Sequence, residues 1–179
     1  PAKYTDEMRQ FIGNKKINVE TLLSQQIDTS ELKDFGVTLT PNGQMFRTDE
    51  QGVMPEIMDT MYKDRTRYKK LAIEAKKKIE AVLDDTNQVH YLEKQVARYN
   101  NLQLAKKVTL NSAYGAMGNQ YFRFFDIRVA EAITTAGQLS IRWIENKING
   151  YMNKLLKTDG EDYVIASDTD SIYLNLGPL

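Results

Sequence analysis

Apolar residues recur at helical spacing from Pro55 to about Leu83: Ile57, Met58, Met61, Tyr62, Tyr68, Leu71, Ala72, Ala75, Ile79 and Val82. This period predicts one long amphipathic helix, with Pro55 in a first turn that tolerates proline because its N–H would have no partner anyway. Asp84-Asp85-Thr86-Asn87 breaks the pattern. A second helical run follows from about Gln88 to Tyr114, with Tyr91, Leu92, Val96, Tyr99, Leu102 and Val108 on its apolar side. Two long helices joined by a short polar turn predict an antiparallel hairpin. Gly115 and Gly118 interrupt. A third helix is predicted from Ile127 to Leu156 on the spacing of Ile133, Leu139, Ile141, Ile144, Ile148, Tyr151 and Leu155, and Thr158-Asp159-Gly160 ends it.

The two ends of the chain read differently. Tyr163-Val164-Ile165-Ala166 and Ile172-Tyr173-Leu174 are strand-like runs around a tight acidic turn, Ser167-Asp168-Thr169-Asp170-Ser171. Near the start, Pro41-Asn42-Gly43 and Glu50-Gln51-Gly52 are turn signals bracketing a short strand-like run, Gln44 to Arg47. Segment 17–33 is read as short helices without fixed bounds. The pattern predicts an α+β chain in three stretches: an irregular 1–54, a helical hairpin at 55–118, and a long helix with a β-hairpin at 119–179. There is no internal repeat and no low-complexity tract.

Composition narrows the chemistry. The 179 residues are 41% hydrophobic and 27% charged, ordinary for a globular chain. No run approaches the roughly eighteen apolar residues of a membrane span, and the first residues lack the basic-then-apolar pattern of a secretory leader. A cytoplasmic setting without membrane association is expected. Cysteine is absent and His90 is the single histidine, so disulfides, thiolate sites and the usual zinc sites cannot be built from this chain. Any metal must be held by oxygen, which points to magnesium, manganese or calcium. The formal net charge is zero, but from Met61 to Lys78 eight basic residues face two acidic ones. Such a stripe serves either phosphates or a solvated helix face.

Three groups carry candidate chemistry. Asp168 and Asp170 stand two residues apart at the junction of two apolar strands. Like charges so close are costly unless a cation offsets them, and Mg²⁺, with Mn²⁺ as a substitute, is the natural candidate. A carboxylate-held metal pair suits phosphoryl transfer; local side-chain-to-backbone bonding within a turn is the alternative. Lys107, Asn111 and Tyr114 are spaced by four and then three, so they share one helix face that offers a cation, an amide and a phenol, with Gly115 and Gly118 beyond. A nucleotide platform and an amphipathic core helix both fit that spacing. Arg65 and Lys69, four apart on the first helix, project together. In an antiparallel hairpin they can converge with Lys107 on one triphosphate.

These residues resemble a known family. The run Lys107 to Asn119 resembles the Lys-x-x-x-Asn-Ser-x-Tyr-Gly motif of family B DNA polymerases, and Ser167 to Tyr173 resembles their Tyr-Gly-Asp-Thr-Asp-Ser motif, in the same order. PNGQMF at 41–46, MPEI at 54–57, RTRYK at 65–69 and FRFFD at 122–126 are similar to the replicative enzymes of large lytic tailed bacteriophages, so the resemblance covers roughly 37–179. It implies a right-hand polymerase fold, with 55–118 as fingers and 119–179 as part of the palm, engaged in viral DNA replication. It implies primer-template DNA and dNTP as partners and two catalytic Mg²⁺ ions. Arg65, Lys69 and Lys107 would bind the triphosphate, and Asn111 the same nucleotide site. Tyr114 and Gly115 would line the nascent base pair, with Tyr114 near the minor groove. Asp170 would ligate the metals with Asp168 beside it, and Thr169 and Ser171 would shape the turn.

The chain also departs from the family. Ser167 stands where a glycine is usual, and Ala166 where a tyrosine is common; a positive φ at 167 would strain serine. The remaining metal-binding aspartate, the rest of the palm, the exonuclease domain and the thumb are expected outside this chain, as is any region that meets a sliding clamp. The chain is therefore expected to be a fragment, inactive alone. Three other readings compete: one chain of a split polymerase, a non-catalytic helical-hairpin binding module, and a phosphatase or mutase with Asp168 as nucleophile. The last needs an α/β domain after the strand, and nine residues follow Asp170.

Overall fold

The computed structural model describes residues 1–82 and 85–177. The sequence expectations that touch Leu83 and Asp84 therefore lie outside the described residues. The chain is mostly helical, with two small antiparallel sheets, and this bears out the α+β reading. Its contacts group into two units, Pro1–Asp49 with Asp126–Leu179, and Glu50–Phe125.

In the first unit the short elements are α1 (Asp6–Ile12), α2 (Val19–Leu23), a single 3-10 turn (Ser30–Lys33), β1 (Val37–Leu39) and β2 (Met45–Arg47). They are too short to be stable alone and are held by a core of Met8, Phe11, Ile27, Leu32, Val37 and the fully buried Met45. Thr5 caps α1 and Asn18 caps α2, the latter in a reciprocal capping box with Thr21. The Pro41-Asn42-Gly43 turn lies at the centre of the five-residue connection, 40–44, between β1 and β2. The Gly43 N–H donates to the Thr40 carbonyl (2.9 Å) and Gly43 takes φ +80°, where glycine carries no steric cost. The same turn reaches the long helix that follows, because the Asn42 amide donates to the Arg128 carbonyl (2.8 Å).

That helix, α5 (Ile127–Leu156), has the predicted bounds. Asp126 starts it, accepting the Arg128 N–H (3.0 Å) and gripping the Arg128 guanidinium through both carboxylate oxygens (2.9 and 2.7 Å). The hydrogen bond from Arg128 holds the Asp126 carboxyl below its ordinary value of 3.8. A depressed carboxyl stabilises the fold above its unfolded pKa, and the contribution fades as pH falls through the lower folded value. Asp126→Ala is therefore expected to cost about 1 kcal/mol near neutral pH, read as a lower unfolding midpoint. The difference from the parent should shrink as the pH is taken from about 5 toward 3.

Only part of the apolar stripe read on α5 is covered: Leu139, Ile141 and Ile148 are half-buried, whereas Ile133, Ile144, Tyr151 and Leu155 are exposed, and the buried residues of the helix are Ala130, Ala132 and Met152, which that stripe did not include. Helix α5 ends at Lys157 in the left-handed conformation (φ 57°), and Gly160 (φ +70°) completes the turn to β3 (Val164–Asp168), which pairs with β4 (Ser171–Leu174).

The second unit is the hairpin of α3 (Val53–Ala81) and α4 (Thr86–Met117). Helix α3 begins two residues before Pro55, and proline fits there because the first four N–H groups of a helix have no intrahelical partner. Helix α4 begins at Thr86 because Asp85 caps it, accepting the Asn87 and Gln88 N–H groups (both 3.1 Å). It runs on through Gly115, a single glycine that lowers helix stability without breaking it, and stops at Gly118. The seam is narrow. Ala72 and Ala75 are its buried residues, while Ile57, Tyr62, Tyr91 and Val108, read as part of the apolar faces, are exposed.

Candidate functional site

The acidic turn is built from both ends. On the α5 side, two asparagine side chains of its last turns bind the strand that follows. The Asn149 amide oxygen accepts the Tyr163 N–H (2.9 Å), and its nitrogen donates to the Asp162 carboxylate (2.8 Å). Asn153 accepts the Glu161 N–H (3.0 Å) and donates to the Glu161 carbonyl (2.7 Å). The buried Tyr163 completes this clasp through its hydroxyl, 2.8 Å from that of Thr158. β3 therefore leaves α5 in a fixed direction. The motif-based reading missed Asn149 and Asn153. Their signal is an Asn pair at i and i+4 in the last turns of a helix, ahead of a glycine turn.

At the other end, Asp168 pairs with Ser171, and Thr169-Asp170 forms a two-residue turn. The Asp170 N–H donates to the Asp168 carbonyl (2.6 Å), as does the Ser171 hydroxyl (3.1 Å). The Thr169 hydroxyl donates to the Asp168 carboxylate (3.0 Å). Thr169 holds φ 54°, a region that disfavours a β-branched residue. Strain anticipated for a positive φ at Ser167 does not arise there, since Ser167 lies in the extended strand opposite Ile172; it falls two residues later. Both aspartates are exposed. Two carboxylates in a tight turn, with no soft donor, suit a hard cation such as Mg²⁺. Among the described residues no group of three acidic, histidine or cysteine side chains gathers around a metal position.

The second group lies on the helical hairpin. Lys106 of α4 bonds to Asp64 of α3 (2.9 Å) and sits 3.3 Å from the Met61 sulfur, while Tyr68 and Tyr99 stack with centroids 6.4 Å apart. These contacts fix the antiparallel register. The hydrogen bond from Lys106 holds the Asp64 carboxyl below its ordinary range. Lys106 is thereby committed to the seam, and the exposed Lys107 is the neighbouring cation left for a ligand.

One residue advances a helix by about 100°. Because α3 and α4 run in opposite directions, the step from Asp64 to Arg65 and the step from Lys106 to Lys107 turn both side chains to the same side of the hairpin. Lys69, four residues past Arg65, and Asn111, four past Lys107, continue that face. Tyr114 follows on it, 42% exposed, and Gly115 beside it has open space around the position a Cβ would take. Arg65 is half-buried, and its Nε is a buried donor without a hydrogen-bond partner. The face itself is cationic, with the exposed ammonium groups of Lys69 and Lys107 beside the half-buried Arg65 guanidinium, and such a face is suited to an anion with several oxygens.

An acidic turn fixed by a helix, and a helical hairpin with a cationic face ending in Tyr114-Gly115, carry the two polymerase-like motifs. Residues 12–178 match DNA polymerase family B, and the chain belongs to that family. The chain is 32% identical over 172 residues to the DNA-directed DNA polymerase of Escherichia phage RB69, covering 76% of this chain and 19% of that protein. It is 34% identical over 173 residues to the DNA-directed DNA polymerase of Enterobacteria phage T4, covering 75% of this chain and 19% of that protein. The DNA polymerase delta catalytic subunit of Candida albicans is 27% identical over 158 residues, covering 84% of this chain and 14% of that protein. The chain thus spans about a fifth of the length of the phage relatives it matches. No helix among the described residues is long and apolar enough to cross a membrane.

Proposed function

We propose that this chain is the fingers and part of the palm of a right-hand DNA polymerase, and that the complete protein carries out template-directed DNA synthesis. The observation that carries the reading is the single face formed by Arg65, Lys69, Lys107 and Asn111, whose side is set by the Asp64–Lys106 bridge. That face matches the chemistry of an incoming nucleotide: cations for the triphosphate, an amide for a polar group of the nucleotide, and Tyr114 with Gly115 against the new base pair.

In the reaction, the primer 3′-hydroxyl attacks the α-phosphate of the dNTP and pyrophosphate leaves. Arg65, Lys69 and Lys107 hold the β- and γ-phosphates in line with the attack and neutralise the charge that builds on the leaving group. Asp170, with Asp168 beside it, is the carboxylate group of this chain that would hold two Mg²⁺ ions, and Mn²⁺ in their place. Bound there with a further carboxylate from elsewhere in the polymerase, these ions would favour both the attacking and the leaving oxygen. Thr169 and Ser171 keep the turn tight through their bonds to Asp168. Rotation of the hairpin on nucleotide binding would bring its cationic face onto the phosphates.

The partners are a primer-template and dNTP, together with the remaining palm, exonuclease and thumb regions and, through one of these, a sliding clamp. The setting is viral DNA replication in the host cytoplasm. The test is extension of a defined primer-template by the complete protein with Mg²⁺. Incorporation of the base complementary to each template position supports the reading, and absence of extension, or addition regardless of template, overturns it.

A further inference from the structure

The hairpin has a second charged side that the proposed reaction does not use. One residue before Tyr99, on the side of α4 opposite to Lys107, stands Arg98. Stepping back along α4 by four and seven residues on that side gives Lys94 and Tyr91. On α3, Lys78 lies ten residues beyond Tyr68, which turns it to this same side. The antiparallel register sets Lys78 level with Tyr91. All four side chains are exposed, Tyr91 by 61%. Among the described residues, none of the three cations is in an ion pair. Glu74, four residues before Lys78 and level with Lys94, lies on this same side. The group occupies about 10 Å of the hairpin's outer half.

We propose that this side binds single-stranded nucleic acid, with Tyr91 stacking on a base and Lys78, Lys94 and Arg98 meeting the backbone phosphates. Cations alone would fit any polyanion. An exposed phenol level with a lysine, and flanked by two more cations, selects a strand whose bases are unstacked and free to lie on a ring. Given the polymerase reading, on which this inference rests, the strand present during synthesis is the template that has not yet been copied. The side opposite the nucleotide face would hold it.

The experiment uses the complete polymerase and two primer-templates that differ only in template overhang, one short and one long. The variants are Tyr91→Ala and the combined Lys78→Gln, Lys94→Gln, Arg98→Gln. The parent is expected to bind the long overhang more tightly, by about tenfold. Each variant should lose most of that advantage while extending the short-overhang substrate at the parental rate. The triple variant should also lower the salt dependence of long-overhang binding (log Kd against log salt) by about 2, the value for three phosphate contacts on a single strand. An unchanged overhang advantage in both variants overturns the proposal. A lost advantage with an unchanged salt slope overturns the phosphate contacts. Failure of the parent to extend either substrate would count instead against the polymerase reading.

Discussion

Asp170→Asn in the complete polymerase is expected to abolish primer extension, lowering the rate on the order of 10³-fold or more, while primer-template affinity stays within about twofold. The substitution keeps the size of the side chain and the backbone bond from the Asp170 N–H to Asp168, so the turn should survive. What it removes is one negative charge at the tip of a hairpin whose direction is fixed by Asn149, Asn153 and Tyr163. Single-turnover extension and an equilibrium DNA-binding titration separate the two effects. Extension retained at a tenth of the parental rate or better would remove Asp170 from the metal-holding role.

Lys107→Ala is expected to act on the nucleotide and not on the DNA. A charge-assisted bond to phosphate contributes about 1.5–3 kcal/mol, which corresponds to a loss in kcat/KM for dNTP of roughly 10- to 150-fold. Affinity for primer-template should change little, because the residue sits on the face proposed for the nucleotide. The neighbouring cation cannot substitute, since Lys106 is tied to Asp64 across the seam. A pre-steady-state titration with dNTP is the measurement, and unchanged kinetic constants would refute the assignment. Lys106→Ala makes a useful contrast: it should weaken the hairpin and leave nucleotide discrimination comparatively intact.

Much of this was legible in the sequence because it is local. The three long helices follow from a period that repeats over some thirty residues, and the bounds of α5 agree with those read from the pattern. The acidic turn was legible for the same reason, as two short apolar runs with polar residues between them. What stayed hidden depends on distant partners. Residues Met8, Phe11, Ile27, Leu32, Val37 and Met45 make one core from six separated positions, and no window of the chain shows it. β1 was missed because three residues carry no period; it exists through its pairing with Met45–Arg47. The apolar stripes were read too widely: helical spacing shows that Tyr62, Tyr91 and Val108 lie on or near a face, and it does not show how wide the partner is. Among the described residues the partner of each hairpin helix is one other helix, so the covered strip is narrow.

Gly115 was read as an interruption because glycine disfavours helix on average, yet one such residue is outweighed by the hydrogen bonds on both sides of it. The strain expected in the event of a positive φ at Ser167 is found at Thr169 because a two-residue connection places the tightest bend after Asp168. The clasp of Asn149 and Asn153 is invisible to hydrophobic patterning, since its work is done by amide groups.

The hairpin of α3 and α4 is also a lever. With 29 residues in α3 it is about 43 Å long, at 1.5 Å per residue. For a rotation of about 10° at the Val53 end, Arg65, twelve residues along, travels about 3 Å, while the far end near Ala81 sweeps about 7 Å. Short travel near the pivot is compatible with placing cations on phosphates to within a bond length. The large sweep belongs to the outer half, which carries Lys78, Tyr91 and Lys94. In the proposed rotation, a fluorophore placed there would report the movement with more than twice the displacement expected at the proposed nucleotide face, without touching any group proposed for the chemistry.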